Sequence, residues 1–558
     1  MLNLRLALCG LTALGLVACA DPLVVDNLSD PDRDRALATP ADLESFIGAS
    51  YAQIHNATLG GSNDDLQTQM QVMGMENTSA LANFAMGPRG AIPRTPIENT
   101  RNSTGSGGNY RDFLVLHRAA RMSAIGLSKI NAGGPLTIGS EARTQRARAF
   151  AQFTRGVALG NLALAYDSAS ILREVDDPQL PVALSYYPAV MQAALAYIDT
   201  AIAIASGPVP PGPAADWFPL PTGWINGQPL SATAFVQFAR SYKARLRASV
   251  ARTPAERAAV DWAAVIADAN AGITADFNIT MTPAAGWDVV WPIQAYATGP
   301  ANWHQLSQFW LGMADSSGGY DAWLADQPSL RDPFLVVTAD RRFPQGIDRA
   351  TQVAAVVPGT FTSRPYIRNR GPGEDQPGQP LQISMYDFYR SRAFFLATRT
   401  GPYPIMTRAE IRLLAAEGYL RTGNLAAALV RIDSSRTDTL RAQLPSLAGL
   451  TDTVTAVPGG NACVPRVPVA PTYRVSACGR VWDALKWEYR METMYTGYGM
   501  WYFAGRGWGD LPEGTALQFP VPYQEMDTRR QTFYGLGGVG LPGGAPRGNY
   551  GLFAGGVY

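Results

Sequence analysis

The chain has 558 residues and a mass of 59.9 kDa, with 46 Lys+Arg against 45 Asp+Glu for a net charge of +1. That balance argues against a nucleic-acid-binding surface, which shows as a basic excess, and 47% hydrophobic residues exclude a disordered chain. Charged residues are only 16% against about 25% in average domains, 55 Gly and 41 Pro predict long loops, and three His with four Cys exclude a zinc-finger array.

Residues 1–18 carry one cation, Arg5, and then an apolar run from Leu6 to Ala18. That run is too short to cross a hydrocarbon core of roughly 30 Å as a helix, but it has the length of a signal-peptide core. It ends in Leu16-Val17-Ala18-Cys19, which resembles the bacterial lipobox and implies a diacylglycerol on the Cys19 thiol. Residues 19–39 then read as a lipidated polar tether. Cys9 leaves with the signal peptide and Cys19 takes lipid, so Cys463 and Cys478 remain. In an oxidising compartment these two are expected to form a disulfide. It closes a loop of about 15 residues, worth roughly 3 kcal/mol in the chain-entropy model.

From residue 40 the pattern is mostly α-helical. Leu43, Phe46, Ile47, Tyr51 and Ile54 make one apolar stripe and predict a helix over 41–57. Residues 58–110 show no clear period. A helix follows over 110–129, on which His117 reads as a packed residue and not a ligand. Two long helices are predicted between Glu141 and Ala205, and another pair over 231–250 and 254–271. Near the C-terminus, 408–421 and 424–433 are joined at Gly423 with the small-aromatic spacing of a tetratricopeptide hairpin. The predicted architecture is a scaffold of degenerate tetratricopeptide-like hairpins with large irregular loops. It divides into an N-terminal part of about 40–275, a loop-rich insertion of about 276–400 and a C-terminal part of about 401–558.

Within the insertion, Trp287, Trp291, Trp303, Trp310 and Trp323 place five of twelve tryptophans in one short stretch, with Tyr320 among them. Flat rings beside amides and carboxylates suit stacking on sugar CH faces, and these six residues are the expected ligand-binding set.

Three C-terminal segments resemble the SusD/RagB family of outer-membrane nutrient-binding lipoproteins. They are Pro404–Glu417 with its Gly423-Asn424 turn; Glu488-Tyr-Arg490-Met-Glu492 followed by Gly497 and Arg506-Gly-Trp508-Gly-Asp510; and Phe519-Pro-Val-Pro522 with Glu525. The opening helix with Asp42, Gly48, Ala49 and Tyr51 and the lipobox are similar too. The second segment departs at Thr496, Gly499 and Tyr502, where the family usually has charged residues. The resemblance implies a lipid-anchored protein at the outer-membrane surface, partnered with a SusC-like TonB-dependent transporter and binding an oligosaccharide or peptide nutrient. It also implies that ligand loops come from an early and a middle segment, similar to 64–112 and 287–323 here, while the C-terminal motifs are framework. Glu488 and Glu492 repel at i, i+4 unless paired; Arg490 or Arg408 is the expected partner.

Glu410 and Glu417 lie about 10 Å apart along one helix face at 1.5 Å per residue, and read as helix-packing carboxylates held by arginine. Asp176-Asp177 reads as a solvated turn. The acids at 30, 32 and 34 lack the Gly and Glu of a calcium loop. No nucleophile elbow, zinc-binding helix or P-loop is present, so no enzyme activity, cofactor or metal is expected. The competing readings are a helical-repeat envelope scaffold that binds protein alone and, behind it, a secreted glycoside hydrolase.

Overall fold

The computed structural model describes residues 37, 39–60, 65–79, 84–103, 107–132, 138–178, 180–289, 304–355, 359–372, 374 and 384–552. The signal peptide, Cys19, nearly all of the tether, Trp291 and Trp303 lie outside the described residues. The described chain is mostly helical, with small two-stranded sheets.

Local chemistry starts the helices. Thr39 accepts the Asp42 N–H at 3.2 Å, and Pro40 opens α1 (Pro40–Gly48), which breaks at Ala49 before α2 (Ser50–Thr58). The stretch without a sequence period holds α3 (Leu66–Met73), whose eight residues are all buried. Next come α4 (Gly107–Asn131), α5 (Glu141–Ala165), α6 (Tyr187–Ala205), α7 (Ala232–Ser249) and α8 (Trp262–Asn270). Ser140, Ser231 and Asp261 each accept the N–H three residues on, at 3.2, 3.2 and 3.0 Å, and so begin α5, α7 and α8. Each such cap is worth about 1 kcal/mol. Asp261 also explains why the helix predicted over 254–271 is two: Pro254–Ala258 and then α8.

The middle helix α5 packs against both α4 and α6. Gly156 permits the second contact, since a Cβ there would sit 2.7 Å from the Ala194 carbonyl oxygen of α6. The chain leaves this helical frame on β1 (Phe277–Met281) and returns on β2 (Gly401–Met406). The two strands pair antiparallel, with Phe277 opposite Met406 and Met281 opposite Gly401. The segment between them is thereby closed at its base. The hairpin α9 (Arg408–Arg421) and α10 (Leu425–Arg436), capped by Thr407 and Asn424, then packs beside α8. Last come α11 (Val481–Thr493) and α12 (Met500–Trp508). Cys463 and Cys478 are joined by a disulfide just before α11.

Buried ion pairs tie the late helices to earlier chain. Arg245 of α7 donates to both Glu410 oxygens at 2.6 and 2.7 Å. Arg257 does the same to Glu417 at 2.7 Å twice, and Trp508 Nε1 adds a third bond at 3.0 Å. Two-pronged guanidinium contacts of this kind are the strong form of the interaction. On α11 the expected partners are corrected. Glu488 and Glu492 face Arg342, at 2.7 and 3.2 Å, from the insertion; Arg390 and Arg441 also face Glu492. Arg490, two residues from each glutamate, points away and pairs with Asp510 at 2.7 Å. Arg408 donates its backbone N–H to Asp276 instead. Nearby, Gly499 adopts φ +60 at the start of α12 and Tyr502 donates to the Ala516 carbonyl at 2.6 Å. Gly499 thus supplies a left-handed turn and Tyr502 a side-chain hydrogen bond to the backbone.

Candidate functional site

The aromatic residues expected to face ligand are core wherever they are described. Trp287 is 7% exposed and lies against His55, with ring centroids 5.0 Å apart. Burial pushes the His55 imidazole down to about 4, so the ring is neutral at pH 7. Tyr320 and Trp323 stack on each other, and Arg331 covers the Trp323 ring at 4.4 Å. Trp310 is 3% exposed and wedged between Trp487 and Trp501, at 6.0 and 4.9 Å. The described members of the expected ligand-binding set are therefore packed into the common core, Trp287 and Trp310 against the helical frame and Tyr320 and Trp323 against each other, as large apolar rings favour. Their spacing lacked a helical period because Trp310, Tyr320 and Trp323 sit on short helical turns, Gln308–Leu311 and Gly319–Ala325, and Trp287 in a bridge to Thr282, not on one long helix.

What the fold brings together at the junction of the early and middle segments is a set of amides. Thr78 and Ser79, just after α3, pair antiparallel with Gln305 and His304 of the insertion. On the α3 side, Gln69 Nε2, Gln71 Nε2 and Asn77 Oδ1 are buried without a hydrogen-bond partner. On the insertion side the same holds for both amide atoms of Gln305 and Gln308, for Ser307 Oγ and for Trp310 Nε1. A buried polar atom left unpaired costs about 1–3 kcal/mol, and native proteins keep few of them. Such a concentration at one seam marks a place with hydrogen-bonding capacity left for something else.

The remaining contacts hold these side chains in position. Arg89 Nε donates to Gln69 Oε1 at 3.1 Å, and Asn77 Nδ2 donates to the Tyr495 hydroxyl at 3.0 Å. Glu76 stands in the same turn, accepting the Tyr495 N–H at 2.6 Å. Burial pushes its carboxyl up to about 8, against the lowering effect of that hydrogen bond. At pH 7 Glu76 is therefore an uncharged acid with a proton to donate. Amides both donate and accept in fixed directions, which matches hydroxyl groups, themselves donor and acceptor at once. Glutamines spaced at 67, 69 and 71 were the sequence signal for this seam, and the absence of a helical period hid it. Among the described residues there is no cluster of three or more metal-binding side chains, and Glu410 and Glu417 are each held by an arginine.

No protein-family model matches the chain, and no curated protein matches it. Solved structures do. A SusD-like protein from Bacteroides fragilis is 13% identical with a TM-score of 0.52, the match covering 92% of this chain and 99% of that one. A SusD superfamily protein from Bacteroides thetaiotaomicron is also 13% identical, with a TM-score of 0.53 over 88% of this chain and 96% of the other. The similarity is one of fold, and it runs nearly the full length: this chain has the SusD-like fold.

Proposed function

We propose that this SusD-fold chain is a lipid-anchored surface receptor of the outer membrane. It captures an oligosaccharide and passes it to a SusC-like TonB-dependent barrel. The observation that carries the reading is the amide seam: unpaired buried donors and acceptors lie where the early segment meets the insertion, the two regions from which the family resemblance draws ligand loops. Within that seam the proposed contacts are Gln71, Gln305 and Gln308, each at most 1% exposed in this structure, so that capture requires the two segments to part there. No enzymatic step is proposed, since the carboxylates that sequence spacing singled out are consumed by arginines. The anchor is Cys19, by the lipobox.

A glycan and peptide binding screen on soluble protein lacking residues 1–19 tests the reading. The expected result is selective binding of one oligosaccharide class, weakened about tenfold by Gln305→Ala or Gln308→Ala, as loss of one or two hydrogen bonds to a ligand implies. Peptide binding alone would make the nutrient a peptide; binding of neither would favour the scaffold reading. Labelled palmitate incorporated by the intact chain and lost in Cys19→Ala tests the anchor.

A further inference from the structure

A second cleft, remote in sequence from the amide seam, has a different chemistry. It is a cavity of about 270 Å³ along the outer face of α4, closed by the strand at Ser168–Ser170, the loop at Pro181-Val182 and the helix at Tyr523–Thr528. Its apolar wall is Tyr110, Leu114, Leu172, Pro181 and Val182. Its polar groups are His117, Arg118, Arg121, Ser170, Glu525 and Arg529.

Most of these groups are already engaged. The His117 Nδ1–H donates to the Phe113 carbonyl at 2.8 Å, while Nε2 accepts the Ser170 N–H at 3.2 Å. Both nitrogens are used and the ring is uncharged, in keeping with a value that burial pushes down to about 4. Glu525 accepts from Arg529 at 2.7 Å, and Arg529 also donates to Ser170 Oγ at 3.1 Å. Ser170 Oγ in turn donates to the Val182 carbonyl at 2.8 Å.

Arg118 and Arg121 are the exception. They make no hydrogen bond or ion pair with any described residue. They sit i, i+3 on one helix, a spacing that brings side chains within about 5–6 Å at their Cβ atoms and makes like charges repel. Asp176 and Asp177 act on Arg121 only at a distance, and Asp176 is held by Arg173 at 2.8 Å. Arg121 is half-buried and also borders an adjoining cavity of about 70 Å³. Two unspent guanidinium groups, each able to fork onto a carboxylate, thus stand beside an apolar wall in one cleft.

We propose that this cleft binds the carboxylate of an acidic saccharide, with Arg118 and Arg121 holding the anion and Tyr110 and its apolar neighbours facing the sugar ring. The naming of a saccharide rests on the nutrient-capture reading above; the anion preference rests on the two arginines alone.

The test uses the chain lacking residues 1–19 and three probes: a galacturonate trimer, the neutral galactose trimer and an acidic tripeptide. Calorimetry should show binding of the uronate alone, weakening as salt rises. Arg118→Gln and Arg121→Gln should each weaken it roughly tenfold, as expected for one charge-assisted contact, with unchanged melting temperature. Arg121→Lys should restore part of the loss. Equal affinity for the neutral trimer, equal affinity for the tripeptide, no uronate binding, or full binding by the double glutamine variant each overturns the inference. If neutral glycans bind and depend on Gln305 while the uronate does not bind, this inference falls and nutrient capture stands. If the uronate binds through the arginines while no screened nutrient engages the seam, the reverse holds.

Discussion

Glu76 and Glu417 are both buried carboxyls, and what faces them drives them in opposite directions. For Glu417 burial alone raises the carboxyl, but Arg257 and then Arg421 outweigh it and hold it below the ordinary value. Glu76 has no cation opposite among the described residues; burial takes it up to about 8. An acid whose folded value lies above its unfolded one, about 4.3 for glutamate, stabilises the fold fully at low pH. It loses that contribution as pH rises through the folded value. Glu76→Gln keeps an acceptor for the Tyr495 N–H and removes the proton exchange. The variant should match the wild type near pH 4 and become progressively more stable relative to it from pH 5 to pH 8. Denaturant melts at several pH values check this, and a difference that does not change with pH sinks it. The sequence could say that carboxylates on α9 want arginines. It could not say which ones, because Arg245 and Arg257 lie 165 and 160 residues away.

At the scale of elements, what was legible were helices with one wet face and a capping side chain. Thr407, with Glu410 three residues on, announces α9, and Ser140 announces α5. The helix α3 was invisible for the complementary reason: with every face buried, its residues follow no apolar period, and its glutamines read as loop. The tryptophan-rich stretch misled in another way, since composition reports how many rings are near one another and not which side they turn. Trp310 makes the point testable. Packed against Trp487 of α11 and Trp501 of α12, it anchors the insertion, and Trp310→Ala should lower stability by about 3–5 kcal/mol, the usual cost of emptying a buried aromatic site. A thermal melt reads this directly. An unchanged melting temperature with lost glycan binding would show instead that the ring serves ligand alone.

For the whole molecule, the closed base formed by β1 and β2 gives the insertion the outline of a removable part: Met281 and Gly401 are already opposite each other. The charges say otherwise. Arg342, from within the insertion, pairs with both Glu488 and Glu492 on α11, and all three side chains are fully buried; Arg441 holds Glu492 as well. Removing one partner of a buried pair costs about 3–5 kcal/mol, a large share of the 5–15 kcal/mol by which a typical protein is stable. Replacing residues 282–400 by a two-residue turn should therefore abolish cooperative unfolding, even though the backbone can be rejoined without strain. Calorimetry on the deletion chain decides; a sharp transition with native helix content would mean the helical frame stands alone. None of this interlock was legible from local pattern, which describes neighbours in sequence, whereas the interlock joins residues 146 and 150 positions apart.

The ion pairs also have a direction. In each of the three links the arginine precedes its glutamate along the chain: Arg245 before Glu410, Arg257 before Glu417, Arg342 before Glu488. A polypeptide emerging from its N-terminus thus presents the cations first and waits for the acids. Until α9 and α11 emerge, Arg245 and Arg257 lack those carboxylates and Arg342 has only Asp340 beside it, so sealing the interior early would bury bare charge. A chain truncated before α9 is therefore expected to be cleaved faster than the full chain, which limited proteolysis checks.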